Sequence, residues 1–73
     1  MSVFVAEFSF HEKPELADEM LIQAKSLPQA REFAENHAQT LGIKLFALEP
    51  ATQDQIRLYR VMQKFICLDA SNN

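Results

Sequence analysis

A helix with both of its ends written into the residues constrains this chain more than any other feature. In KSLPQAREFAENHAQTLG, residues 25–42, Ser26 stands three residues before Gln29. In that S-x-x-Q spacing the hydroxyl accepts an orphan backbone N–H, while the glutamine side chain reaches back to the serine's own amide. Pro28 falls in the first turn, where its missing N–H costs nothing. Leu27, Ala30, Ala34, Ala38 and Leu41 recur at three- and four-residue spacing with Phe33 beside them, and Arg31, Glu32, Glu35 and Gln39 lie around the other side. Gly42, the only glycine among 73 residues, supplies the left-handed position that ends the helix.

Strands flank this helix. From Val3 to Phe10 the side chains alternate, Phe4, Ala6, Phe8 and Phe10 against Val3, Val5, Glu7 and Ser9, which predicts a strand. The segment His11 to Asp18 carries Pro14 and a run of charges and reads as a loop. A second strand is expected over Glu19 to Lys25, with Met20, Ile22 and Ala24 on one face, and a third over Ile43 to Glu49, closed by Pro50. The tail is ambiguous. At about 100° per residue, Leu58, Tyr59, Val61, Met62, Phe65, Ile66 and Leu68 separate from Gln53, Arg57, Arg60, Gln63 and Lys64, and Thr52 with Gln55 repeats the capping-box spacing. That predicts a second helix over Gln53 to Leu68, with a C-terminal β-hairpin as the alternative.

The fold class is therefore α+β, a single small domain over residues 1–73 with a three-stranded antiparallel/mixed sheet and two helices in the order β-β-α-β-α. A right-handed crossover through the first helix makes the second and third strands parallel and leaves the first between them, antiparallel to both.

Composition narrows the function. The chain is 48% hydrophobic and 23% charged with a net charge of −3, a globular balance with no general attraction to nucleic acid or an anionic membrane. One cysteine, Cys67, excludes an internal disulfide framework and a cysteine-rich zinc site and suits a reducing, cytoplasmic setting. MSVFVAEFSF lacks a basic leader followed by a long apolar segment, and no window approaches the roughly 18 to 20 apolar residues of a membrane span.

Catalytic signatures are missing. A single glycine cannot build a phosphate-binding loop, which needs the backbone to approach the anion closely. His11 and His37 have no ligand-spaced partner, so no metal is expected, and His37 reads as a favourable charge near the C-terminal end of the first helix. Cys67 has no neighbouring base in sequence. No catalytic residue, cofactor or metal is assigned, and the expectation is a protein that is not an enzyme.

What remains is surface. Glu12, Glu15, Asp18 and Glu19 cluster in and beside the first loop, a candidate grip for a basic partner or else a solvated face. Arg57, Arg60 and Lys64 recur at i, i+3 and i+7, a candidate basic stripe for phosphates, though three cations in an acidic chain argue against nucleic acid as the partner. The first and third strands are apolar on both faces, so Val3 and Val5 lie either under the second helix or in an interface. The run AKSLPQAREFAENHA, Ala24 to Ala38, resembles the A-x-S-L-x-Q-A-[KR]-x-x-A strand-to-helix junction of small phage and mobile-element β-β-α-β proteins of the anti-CRISPR kind. The resemblance implies an inhibitor of a bacterial defence complex that acts by surface complementarity, and it carries over no binding residue. The leading expectation is a small non-catalytic interaction or regulatory protein, working as a homodimer or on a larger protein complex. A nucleic-acid-associated regulator is the alternative.

Overall fold

Alternation sets the first strand: β1 spans Ser2–Ser9 and sends Phe4, Ala6 and Phe8 to one face and Val5 to the other, all buried. The computed structural model describes residues 2–68. β2, Leu16–Ala24, pairs antiparallel with β1, and its Met20, Ile22 and Ala24 join the Phe4 face while Leu21 joins Val5. The strand starts at Leu16 rather than Glu19, so Asp18 joins Glu19 in the sheet and does not lie in the loop. A bulge at Ala17 makes this possible: Phe8 faces Asp18 but Ser9 faces Leu16, and the extra residue restores the alternation on either side.

The helix α1, Leu27–Leu41, follows its encoded ends closely. The Gln29 amide donates to the Ser26 hydroxyl at 3.3 Å, but the Gln29 side chain accepts from the Lys25 amide at 2.7 Å instead of closing on Ser26. At the far end Gly42 takes φ 73°, the Gly42 amide donates to the Gln39 carbonyl and the Ile43 amide to the Ala38 carbonyl, a Schellman ending. Ala30, Ala34 and Ala38 form its buried stripe, small enough to let the helix lie close on Phe4, Phe8, Met20 and Ile22. Phe8, Leu21 and Ile22 are fully buried and contribute about 1.5–3 kcal/mol each.

β3, Lys44–Pro50, pairs antiparallel with β1, with Phe46 an extra residue between the Glu7–Ala47 and Phe8–Leu45 pairs in a second bulge. Next, α2 spans Gln53–Val61 behind a complete capping box: the Gln55 amide donates to Thr52 Oγ1 at 3.1 Å and the Thr52 amide to Gln55 Oε1 at 2.9 Å. Here the chain departs from expectation. The second helix ends at Val61 rather than Leu68, and Phe65–Cys67 form β4, parallel to β2 against Leu21, Ile22 and Gln23. Among the described residues the sheet therefore has four strands, in the order β3-β1-β2-β4, where three were expected. Among the described residues of the tail neither the longer helix nor an antiparallel hairpin forms. The cause is a second Schellman ending, with the Gln63 amide donating to the Arg60 carbonyl, the Lys64 amide to the Tyr59 carbonyl, and Gln63 in the left-handed region at φ 61°.

The two crossovers run in opposite directions across the sheet, β2 to β3 through α1 and β3 to β4 through α2. Crossovers of one hand then lie on opposite faces. Accordingly α1 covers the Phe4, Phe8 and Ile22 face, and α2 covers Val5 and Leu21 with Tyr59, flanked by Val3, Ala51, Ile56 and Phe65.

Candidate functional site

Strand periodicity sends neighbouring residues to opposite faces, and β2 uses this to anchor both helical layers with two adjacent carboxylates. Asp18 turns toward α1, where its Oδ2 lies 3.5 Å from His37 Nε2, and its Oδ1 accepts from Lys64 Nζ at 2.5 Å and from the Glu19 amide at 2.9 Å. Burial alone pushes the Asp18 carboxyl up, but the bond from Lys64, the Glu19 amide, the Lys64 charge and His37 together hold it below its ordinary value. The His37 ring sits 5.2 Å from Phe8 and stacks on Phe33 at 6.2 Å between centroids. His37 is thus a partner of the sheet, which its sequence position near a helix end does not convey.

Glu19 turns toward α2 and accepts a short hydrogen bond from the hydroxyl of Tyr59. It faces Glu7 directly across the β1–β2 ladder, a like-charge pair that costs energy unless something neutral or donating sits over it. Tyr59 is that donor. Burial, the Glu19 hydrogen bond, the Glu19 charge and the Glu7 charge, in that order, raise its phenol to about 12.

The acidic group of the sequence therefore divides. Glu12 and Glu15 are exposed in the loop after β1, whereas Asp18 and Glu19 hold the fold together on opposite faces. Val5 is 5% exposed under Tyr59, and Val3 is half-buried beside it, so the candidate apolar patch on β1 is covered by α2. The basic stripe divides as well: Arg57 is exposed and lies 3.5 Å from Asp54, the Arg60 guanidinium lies 5.0 Å over the Phe65 ring, and Lys64 lies beyond the end of α2 on Asp18.

Cys67 is exposed on β4 opposite Gln23, while His37 contacts Asp18 and Phe8 on the α1 face, so thiol and imidazole are separated by the sheet. Among the described residues no group of three or more His, Cys, Asp or Glu side chains is placed to hold a metal ion, and no helix is long and apolar enough to cross a membrane. Two shallow clefts of about 320 and 280 Å³ meet at His11, one under Phe10 and Gly42 and the other against Glu35, Lys44 and Leu45. Their charges nearly cancel, Glu12 and Glu35 against Lys13 and Lys44.

The surface is apolar where sequence reasoning did not place a site. At about 100° per residue, Leu58, Val61 and Met62 share a stripe of α2 turned away from the inward Ile56 and Tyr59, and they are 55%, 80% and 48% exposed. Phe46, at the bulge of the β3 edge, is 67% exposed. The signal was present in the segregation of the tail, but a helix read as extending to Leu68 puts these residues on its buried half.

No family model matches this chain, and no curated protein or solved structure compared with it matches either.

Proposed function

We propose that the protein is a small non-catalytic interaction protein that acts as a homodimer, joined through the outer face of α2. The observation that carries this reading is the exposed stripe of Leu58, Val61 and Met62 on a helix whose opposite side is already committed to the sheet. A small domain buries a modest fraction of its surface, and sharing an apolar helix face with a second copy raises that fraction. Two α2 helices packed antiparallel about a twofold axis bring Leu58 of each near Val61 of the other, a self-complementary contact. A larger protein complex, as for an inhibitor of a bacterial defence assembly, is the other partner this face suits.

Sedimentation equilibrium of the parent chain and of Val61→Glu tests the reading. The expected result is a dimer in the tens-of-micromolar range that Val61→Glu converts to a folded monomer, because a charge placed in an apolar contact loses its hydration without compensation. A parent chain that is monomeric throughout that range rejects the homodimer.

A further inference from the structure

Residues 63–68 obey two incompatible patterns. By spacing they continue α2: at about 100° per residue, Phe65 falls between Leu58, Val61 and Met62, and Leu68 falls beside Val61. By contact they leave the helix. The Leu21 amide donates to the Lys64 carbonyl at 2.9 Å, Phe65 packs with Val5, Leu21 and Tyr59 on one face, and Leu68 packs against the core under α1 on the other.

Among the described residues the second arrangement rests on a short ladder, an ion pair and the packing of Phe65 and Leu68. β4 has three residues and pairs with only Leu21, Ile22 and Gln23 of the nine in β2. The turn leading to it keeps Gln63 at φ 61°, a backbone region that disfavours any residue bearing a side chain. Lys64 on Asp18 is, among the described residues, the ion pair that ties this segment to the sheet.

We propose that residues 63–68 form a two-state arm, closed as β4 on the edge of β2 and open as a helical continuation of α2 that carries Phe65 and Leu68 onto the outer stripe with Leu58, Val61 and Met62. Opening exchanges the Lys64–Asp18 pair, the short parallel ladder and the packing of Phe65 and Leu68 against the two cores for about one and a half turns of helix and a shared outer apolar stripe, and it relieves Gln63. It also bares the edge of β2. The device belongs to the chain alone and holds whatever the outer face of α2 contacts.

Two substitutions bias the arm in opposite directions. Gln63→Gly favours the closed state, since glycine accepts a positive φ and is a poor helix interior residue. Lys64→Met favours the open state, removing the ion pair while keeping a good helix former. Backbone Cα chemical shifts at residues 64–67 report which state is occupied, and hydrogen exchange of the Leu21 amide, whose partner is the Lys64 carbonyl, reports opening.

The expected result is that Lys64→Met moves these shifts from strand toward helix values and speeds Leu21 exchange about tenfold or more, with the Val5 and Ala34 amides unchanged. Gln63→Gly slows Leu21 exchange about tenfold, and the double variant returns the strand shifts. Strand shifts retained in Lys64→Met, or coil values at 64–67, overturn the proposal. If Lys64→Met instead unfolds the chain, the Val5 and Ala34 amides exchange in step with Leu21, and Gln63→Gly then decides alone. An unchanged Leu21 rate in that variant overturns the proposal, and a slower one at constant Val5 and Ala34 rates sustains it.

Discussion

Tyr59 is the only tyrosine in a chain without tryptophan, so its ionisation can be read directly from phenolate absorbance in the near ultraviolet. The residue is 6% exposed over the half-buried Glu7–Glu19 pair, and its hydroxyl donates to Glu19. Burial is the largest cause of its raised value of about 12, against 10.0 for an unperturbed tyrosine. The folded chain thus holds the proton more tightly than the unfolded chain. The contribution to stability is complete below pH 10 and is lost as the pH rises toward 12. At about 1.36 kcal/mol per unit the loss has a ceiling on the order of 2–3 kcal/mol, lowered by solvent screening of a hydroxyl and carboxylate near the surface.

The native protein should therefore show a phenolate midpoint well above that of the same chain in urea, which should titrate near 10. Glu19→Gln keeps an acceptor but removes the nearer charge, so its midpoint should fall only part of the way. A native midpoint near 10 while the far-ultraviolet signal of the sheet is intact would refute the assignment of Tyr59 to a buried, carboxylate-facing position. Ionisation that accompanies loss of the sheet signal would instead show the linkage acting as the cause of alkaline unfolding.

Four further outcomes follow from the same geometry. Because Asp18 is held below its ordinary value of 3.8, its contribution is present above that pH and disappears as pH falls through the lowered value; urea midpoints measured from about pH 5 to about pH 2 should drop more steeply for the parent than for Asp18→Asn. Val5→Glu places a charge beneath Tyr59 and should unfold the chain rather than yield a folded monomer, as circular dichroism would report. The buried Ser9 hydroxyl has no hydrogen-bond partner among the described residues, so Ser9→Ala should raise stability by about 1 kcal/mol in chemical denaturation, and a lower stability would indicate a bond that Ser9 does make. Ser26→Ala should cost about 0.5–2 kcal/mol through loss of the α1 cap, seen as a lower midpoint at unchanged slope.

Legibility in the sequence tracked local chemistry. α1 could be read to the residue because Ser26, Pro28 and Gly42 each make a backbone demand that few other residues meet, and the central place of β1 followed from the crossover rule. The end of α2 could not, since the left-handed position there is filled by Gln63, which gives no sign of the turn it makes. The start of β2 was hidden by the bulge at Ala17, which breaks the alternation where Pro14 and the charges already suggested a loop. With β2 shortened, Asp18 and Glu19 read as solvent-facing acids. Their partners His37, Lys64 and Tyr59 lie 19, 46 and 40 residues away, beyond any local pattern.

The two central strands of the sheet are also the first two in chain order, and this has a cost during synthesis. The β1–β2 hairpin carries apolar side chains on both faces, Phe4, Phe8 and Ile22 on one and Val5 and Leu21 on the other. The first face gains its cover when α1 is complete at Leu41, but the second waits for α2, which ends at Val61. At roughly 5–20 residues per second, the ribosome leaves the Val5–Leu21 face without its cover for about two to seven seconds after the hairpin is made. Over that interval the nascent hairpin is a two-sided sticky sheet, and the cell's nascent-chain chaperones have a defined surface to shield: the one that α2 later closes.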